Sequence, residues 1–182
     1  CQVNDGLIGC AVNTALATLL KNEDLYYNYT FLFVPESIGS IAFLSHNEHL
    51  IPKIKYSIFV EMVGLDNPLV LQKSYNGNEL INHYALCAMA ELQGVSKSYP
   101  YLTVAGNDEK IFNAPGVNIP SISITRVNQE AKLKKVEAVP PEEPKELFLP
   151  YPEYHSHLDN IDKVDFKRVN ETIDVLFNLC QI

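Results

Sequence analysis

Short runs of aromatic and β-branched residues alternate with longer stretches of helical apolar recurrence, and this alternation most narrows what the chain can fold into. LIGCAVNTALATLLK, residues 7–21, sets Leu7, Ile8, Val12, Leu16, Leu19 and Leu20 at helical spacing just after the cap-competent Asn4 and Asp5. YTFLFV (29–34) predicts a strand ending at Pro35, and GSIAFLSHN (39–47) a helix. KYSIFVEM (55–62), PLVLQKS (68–74), YLTVA (101–105) and IPSISITR (119–126) predict further strands, and NELINHYALCAMAELQG (78–94) a long helix closed by Gly94. VDFKRVNETIDVLFNLC (164–180) predicts a last, amphipathic helix with Val164, Phe166, Val169, Ile173, Leu176 and Phe177 inward. The expected fold is α/β, a mostly parallel central sheet with helices on both faces.

A chain of 182 residues, 47% hydrophobic and 20% charged, can bury one sizeable core, so residues 1–182 read as a single domain. The opening CQVNDGLIG, without an initiator Met, reads as part of a longer chain. A net charge of −8 with no basic cluster excludes nucleic acid as an expected partner. The apolar runs fall short of the roughly 20 residues that cross a bilayer, so no membrane association is expected. Cys10, Cys87 and Cys180 sit in apolar helical stretches and read as buried free thiols, which points to a reducing, cytoplasmic setting; Cys1 is the remaining cysteine. The sequons Asn28-Tyr29-Thr30 and Asn170-Glu171-Thr172 matter only in a secreted protein. Residues 129–154, with prolines at 140, 141, 144, 150 and 152, read as a long loop of the kind that tends to be functional.

In an open α/β sheet, ligands gather outside the carboxyl ends of the strands. The chemistry-bearing residues expected there are Asp5 before the first helix, Glu36 after the strand 29–34, Glu61 ending the strand 55–61, Asp108 after 101–105, and His155 ahead of the last helix. Asp5 alone could be a helix cap, and Glu36 alone a solvated loop acid. Glu61 is harder to explain away, because it stands among Phe59, Val60 and Met62, where a lone buried carboxylate is costly. Carboxylates and an imidazole on one rim repel or protonate unless a cation joins them, and oxygen and imidazole donors suit zinc. His46, His49 and His83 lack an acid at ligand spacing and read as surface or core residues.

NDGLIG (4–9), PESIGS (35–40), VEMVG (60–64), GNDEKIFNAPGVNIPSISITR (106–126) and YHSHLDNID (154–162) occur in the order found in zinc-dependent aminopeptidase-like exopeptidases of phosphorylase/hydrolase-like fold. The resemblance covers nearly the whole chain and is nearest to poorly characterised bacterial aminopeptidase-like proteins. It implies one or two zinc ions held by Asp5 (bridging), Glu36, Glu61 and His155, with Glu36 as ligand or as catalytic base. It also implies pocket or supporting roles for Asp108, Arg126, Tyr154 and Asp159, and a peptide or aminoacyl small molecule as substrate. The implied chemistry is attack of a metal-activated water on a carbonyl, with Tyr154 or Arg126 near the oxyanion. PESIGS carries one Glu where the family has two, and the family's upstream His ligand has no counterpart at Gln2 or Val3. Two other readings stand beside the hydrolase: an inactive aminopeptidase-like binding module and a glutaminyl-cyclase-like amide-processing enzyme.

Overall fold

The computed structural model describes residues 2–94, 96–104, 106–128 and 149–182. Its strands are β1 (Ser57–Val60), β2 (Val70–Gln72), β3 (Lys97–Tyr99) and β4 (Ser121–Thr125). Its α-helices are α1 (Ile8–Leu20), α2 (Ile38–His46), α3 (Leu80–Gln93), α4 (Glu109–Phe112) and α5 (Phe166–Gln181). The strands form one sheet in the order β1-β4-β2-β3. β1–β4 and β2–β3 are parallel, whereas β2–β4 is antiparallel, so the sheet is mixed where a mostly parallel one is expected. The link between β1 and β2, residues 61–69, is shorter than the roughly dozen residues a parallel return needs, and β2 therefore runs back along the sheet.

β4 is buried along its whole length, and its sequence Ser-Ile-Ser-Ile-Thr divides the two faces of the sheet. Ile122 and Ile124 join Val60 and Leu71 in the main core, which α1 closes with Ile8, Val12, Leu16 and Leu20. α3 adds Ile81, Ala85, Ala88 and Met89 to that core, and α5 adds Val169, Val175, Leu176 and Leu179. On the other face Ser121, Ser123 and Thr125 alternate with those isoleucines, and Gln72 pairs in register with Ser123. A smaller cluster of Leu44, Phe112 and Ile119 ties α2 to α4. Gly9 sets the approach of α1 to the end of β1, since a Cβ there would collide with the Val60 carbonyl oxygen.

α3 ends at Gly94, whose φ of 73° and N–H bond to the Ala90 carbonyl make the left-handed cap expected of it. α5 starts at Asp165, whose carboxylate accepts the Lys167 and Arg168 amides.

Several expectations need correction. Residues 29–34 join no ladder among the described residues: Tyr29 and Phe31 pack on the core, but no described strand lies alongside. Residues 101–104 are a turn rather than a strand, because Pro100 ends β3, Thr103 bonds back to the Pro100 carbonyl and Leu102 has φ 56°. Cys10 and Cys87 are exposed and only Cys180 of the three is buried, since Cys10 lies two residues, about 200° of helix turn, from Ile8 and from Val12. Phe166 is exposed, lying ahead of the buried stripe that begins at Val169. Val3–Leu20 is long and apolar enough by composition to cross a membrane, but its Ile8, Val12, Leu16 and Leu20 stripe is committed to the core. Cys1 and residues 129–148 of the expected long loop lie outside the described residues.

Candidate functional site

At the carboxyl end of β1 the chain passes from Val60 to Glu61 and turns at Met62, whose φ is 50°. Met62 N–H donates to the Asn4 carbonyl at 3.0 Å, which fastens the turn at Asp5 beside Glu61. Asp5 and Gly6 break the helical path there, with Asp5 at φ −103° and ψ 66°. Asp5 Oδ2 lies 3.1 Å from Nε2 of His155, a residue far along the chain. The Tyr154 ring stacks on the His155 ring at 3.8 Å between centroids, which fixes the imidazole plane.

Each of the three acid-bearing segments is held by a buried or half-buried polar group. Asp159 is fully buried and accepts from the Asn4 amide (3.0 Å), the Asp5 amide (3.2 Å), the Asn4 side chain and the Tyr151 hydroxyl (2.9 Å). Asp108 is buried and accepts from the Ser37 amide at 2.7 Å and the Ser40 hydroxyl at 2.6 Å, which pins the turn carrying Glu36. Asn107 donates to Glu61 Oε2 at 2.6 Å. Asp159 and Asp108 thus support the site through backbone amides and hydroxyls, while Glu36 itself is exposed.

The electrostatics follow from this packing. Glu61 is 3% exposed, and burial, reinforced by the Glu109 carboxyl and by Asp5 and Glu36, pushes it up to about 8, against the opposing Asn107 bond. Asp5 is raised by burial more than the adjacent His155 lowers it, and Asp159 and Glu36 add to the rise. Burial and the same three acids, Asp5, Glu61 and Glu36, lift the Tyr154 phenol to about 12, so it is a hydrogen-bond donor at neutral pH.

Backbone strain gathers here too. Of the non-glycine residues with positive φ, Ser37 (60°) follows Glu36, Met62 (50°) follows Glu61, and His155 (56°) is itself a candidate. Such conformations persist where surrounding structure over-determines them, and they concentrate at functional sites.

The donor types suit zinc, and the Asp5–His155 separation is close to the ~3.3 Å between two donors each ~2.0–2.1 Å from a tetrahedral ion. Glu61 Oε1 is buried without a hydrogen-bond partner among the described residues, as an acid awaiting a cation would be. Among the described residues, however, no three His, Cys, Asp or Glu side chains converge closely enough to hold an ion. The structure brings Asp5 against His155 and sets Glu61 and Glu36 within electrostatic reach, without closing the four into one ligand set.

Arg126 lies in the interior rather than at an open pocket wall. It is fully buried and spends its guanidinium on the Asn67 and Arg168 carbonyls, the Thr172 hydroxyl and Glu171, which makes it a pin between β4 and α5. Three residues absent from the sequence reading belong near the site: Gln72, Asn107 and Glu109. Gln72 had a signal, a polar residue inside the apolar run PLVLQ.

Comparison with known proteins places this geometry in a wider fold. A Clostridium acetobutylicum protein, provisionally named a polysaccharide biosynthesis protein with aminopeptidase-like domain, is 33% identical over 126 residues, 68% of this chain and 28% of its own length. A crystal structure of a provisionally assigned peptidase from Clostridium acetobutylicum superposes with TM-score 0.78 at 24% identity, over 97% of this chain and 37% of that one. BSAP, a zinc aminopeptidase from Bacillus subtilis, gives 0.73 at 18% identity, over 98% of this chain and 41% of its own. The chain therefore shares the aminopeptidase-like α/β fold while spanning well under half of these proteins' lengths. The family model described as Domain of unknown function (DUF4910) matches residues 1–134, and the chain belongs to that family.

Proposed function

We propose that residues 1–182 form a peptidase-like catalytic domain within a longer zinc-dependent hydrolase, and that the protein is an aminopeptidase acting on a peptide or aminoacyl small molecule. The observation that carries this reading is the Asp5–His155 pair at 3.1 Å, formed beside a buried, half-partnered Glu61. An imidazole and carboxylates of this kind are costly to gather unless a cation uses them.

In this reading Asp5, Glu61 and His155, which do not converge in this structure, would draw together around zinc, and the ion would supply Lewis acidity to the scissile carbonyl and to water. Glu36, exposed on a strained turn fixed by Asp108, takes a proton from the attacking water as its oxygen bonds to the carbonyl carbon. It returns that proton to the amine nitrogen as the C–N bond breaks. Tyr154 donates its hydroxyl toward the carbonyl oxygen as negative charge develops there. Cys10, Cys87 and Cys180 are all free, in keeping with a cytoplasmic setting.

The experiment is zinc analysis and cleavage of aminoacyl anilides by the full-length protein and its Glu36→Gln variant. Retained zinc with kcat lowered about 10²-fold or more supports Glu36 as the base. Lost zinc moves it among the ligands. A full-length protein that takes up no zinc and cleaves no anilide refutes the reading, and N-terminal glutamine cyclisation in its place would favour the glutaminyl-cyclase-like alternative.

A further inference from the structure

We propose that Asn107 and Glu109 are positioning residues, a relay that runs from β2 to the carboxylate of Glu61 and sets its orientation. The inference rests on the reading of Glu61 as a functional carboxylate and adds the groups that aim it.

Glu61 accepts one hydrogen bond from the described residues, from Asn107 Nδ2 at 2.6 Å. A carboxylate with one bond on one oxygen is aimed only as well as that donor is held. Asn107 sits half-buried in the loop before α4, where a carboxamide has no intrinsic reason to keep one orientation. Two features of the structure hold the backbone from which that carboxamide, its Oδ1 unpartnered among the described residues, reaches Glu61. The Asn107 backbone N–H donates to Glu109 Oε1 at 2.9 Å, and the same oxygen accepts from Gln72 Nε2 at 3.0 Å.

Gln72 supplies the fixed end. It is fully buried in β2, in register with Ser123 of β4, and its own Oε1 accepts the Val104 amide at 2.9 Å. The path from sheet to site is therefore Val104 to Gln72, Gln72 to Glu109, Asn107 to Glu109 and Asn107 to Glu61, each step a named hydrogen bond. Glu109 is 1% exposed on the polar side of the sheet, with Ser123 beside it. A buried carboxyl placed there only to fill space would be a costly choice over an apolar side chain. Supporting groups of this kind orient ligands of a metal, and their loss typically lowers affinity or activity.

A relay differs from general structural support in one measurable way: its members act through a single bond, so their losses do not add. The experiment measures zinc dissociation constants by chelator competition for full-length wild type, Asn107→Ala, Glu109→Ala, Glu109→Gln and the double alanine variant, together with metal-free crystal structures. Each single alanine change is expected to weaken zinc about 10- to 100-fold. The double variant should match the weaker single variant to within about twofold. Glu109→Gln should stay near wild type, because its amide oxygen still accepts from Asn107 N–H and Gln72, and it guards against a Glu109→Ala that fails to fold. In metal-free Asn107→Ala the Glu61 carboxylate should leave its wild-type position. Additive losses, wild-type zinc affinity in Asn107→Ala, or an unmoved Glu61 carboxylate would overturn the relay. If wild type binds no zinc, the hydrolase reading fails, and the position of Glu61 in the metal-free structures still decides whether the relay exists.

Discussion

Asp159 Oδ2 accepts the backbone N–H of Asp5 at 3.2 Å, joining two acids separated by most of the chain and making one the support of the other. Asp159 is fully buried and also receives the Asn4 amide and the Tyr151 hydroxyl. Asp159→Asn would turn an amide group toward these donors, and in either orientation at least one hydrogen bond now made to the carboxylate is lost. We expect a loss of about 1–3 kcal/mol in stability, read from denaturant unfolding, and zinc affinity about 10- to 100-fold weaker in the full-length protein. Unchanged zinc binding with lowered stability would restrict Asp159 to folding.

Metal-free protein should lose stability as pH rises from about 4.5 to about 8. Glu61, mainly through burial, titrates near 8 in the folded state against 4.5 as its ordinary value, so the folded chain keeps a proton that the unfolded chain has released. The native state then binds more protons across that window, and the slope of unfolding free energy against pH is negative. Glu109 is raised by its own burial and acts in the same direction. Thermal unfolding across this range, after chelation, should show the decline in wild type and a shallower one in Glu61→Gln. Equal slopes in both proteins would remove Glu61 as its source.

Arg126→Met should destabilise without touching substrate binding. The change strands the Asn67 carbonyl and removes the Arg126–Glu171 ion pair, while the Arg168 carbonyl keeps the Thr172 hydroxyl, for an expected cost of order 3 kcal/mol. Steady-state kinetics of the folded fraction should keep wild-type KM. A raised KM would return Arg126 to the substrate site.

Ser37→Gly should stabilise the fold by up to about 1 kcal/mol, because glycine adopts φ 60° freely and the amide that Asp108 holds is retained. Ser37→Val, β-branched at the same φ, should destabilise. Chemical denaturation of the pair provides the test, and a destabilising Gly variant would show that Ser37 contributes more than its backbone.

Helices and strands with an amphipathic stripe or a buried apolar run were legible in the sequence, as α1, α3, β1 and β4 illustrate. The run 29–34 misled because its composition suits a half-buried surface. Leu25, Tyr27, Tyr29 and Phe31 are indeed half-buried while residues 26, 28 and 30 are exposed, yet strand identity also requires a neighbouring edge. The direction of β2 depended on the length of the preceding link rather than on any side chain. Within the site, Glu61 was conspicuous as an acid inside an apolar run. Asn107 and Glu109 carry no such mark, since their roles come from the placement of α4 over the polar side of β4. Arg126 looked like a pocket residue because a strand-end arginine in that motif gives no sign that α5 will cover it.

The polar half of β4 has an evolutionary consequence. Ser121 Oγ and Thr125 Oγ1 are buried without hydrogen-bond partners among the described residues, so an apolar side chain of similar size at either position would suit the burial better than the residue present. A sequence selected for robustness alone would drift toward an apolar strand on both sides. Keeping hydroxyls there holds the domain below its attainable stability, and a screen for heat tolerance would enrich apolar substitutions of similar size in this stripe, with selection for function opposing them where the stripe meets Glu109.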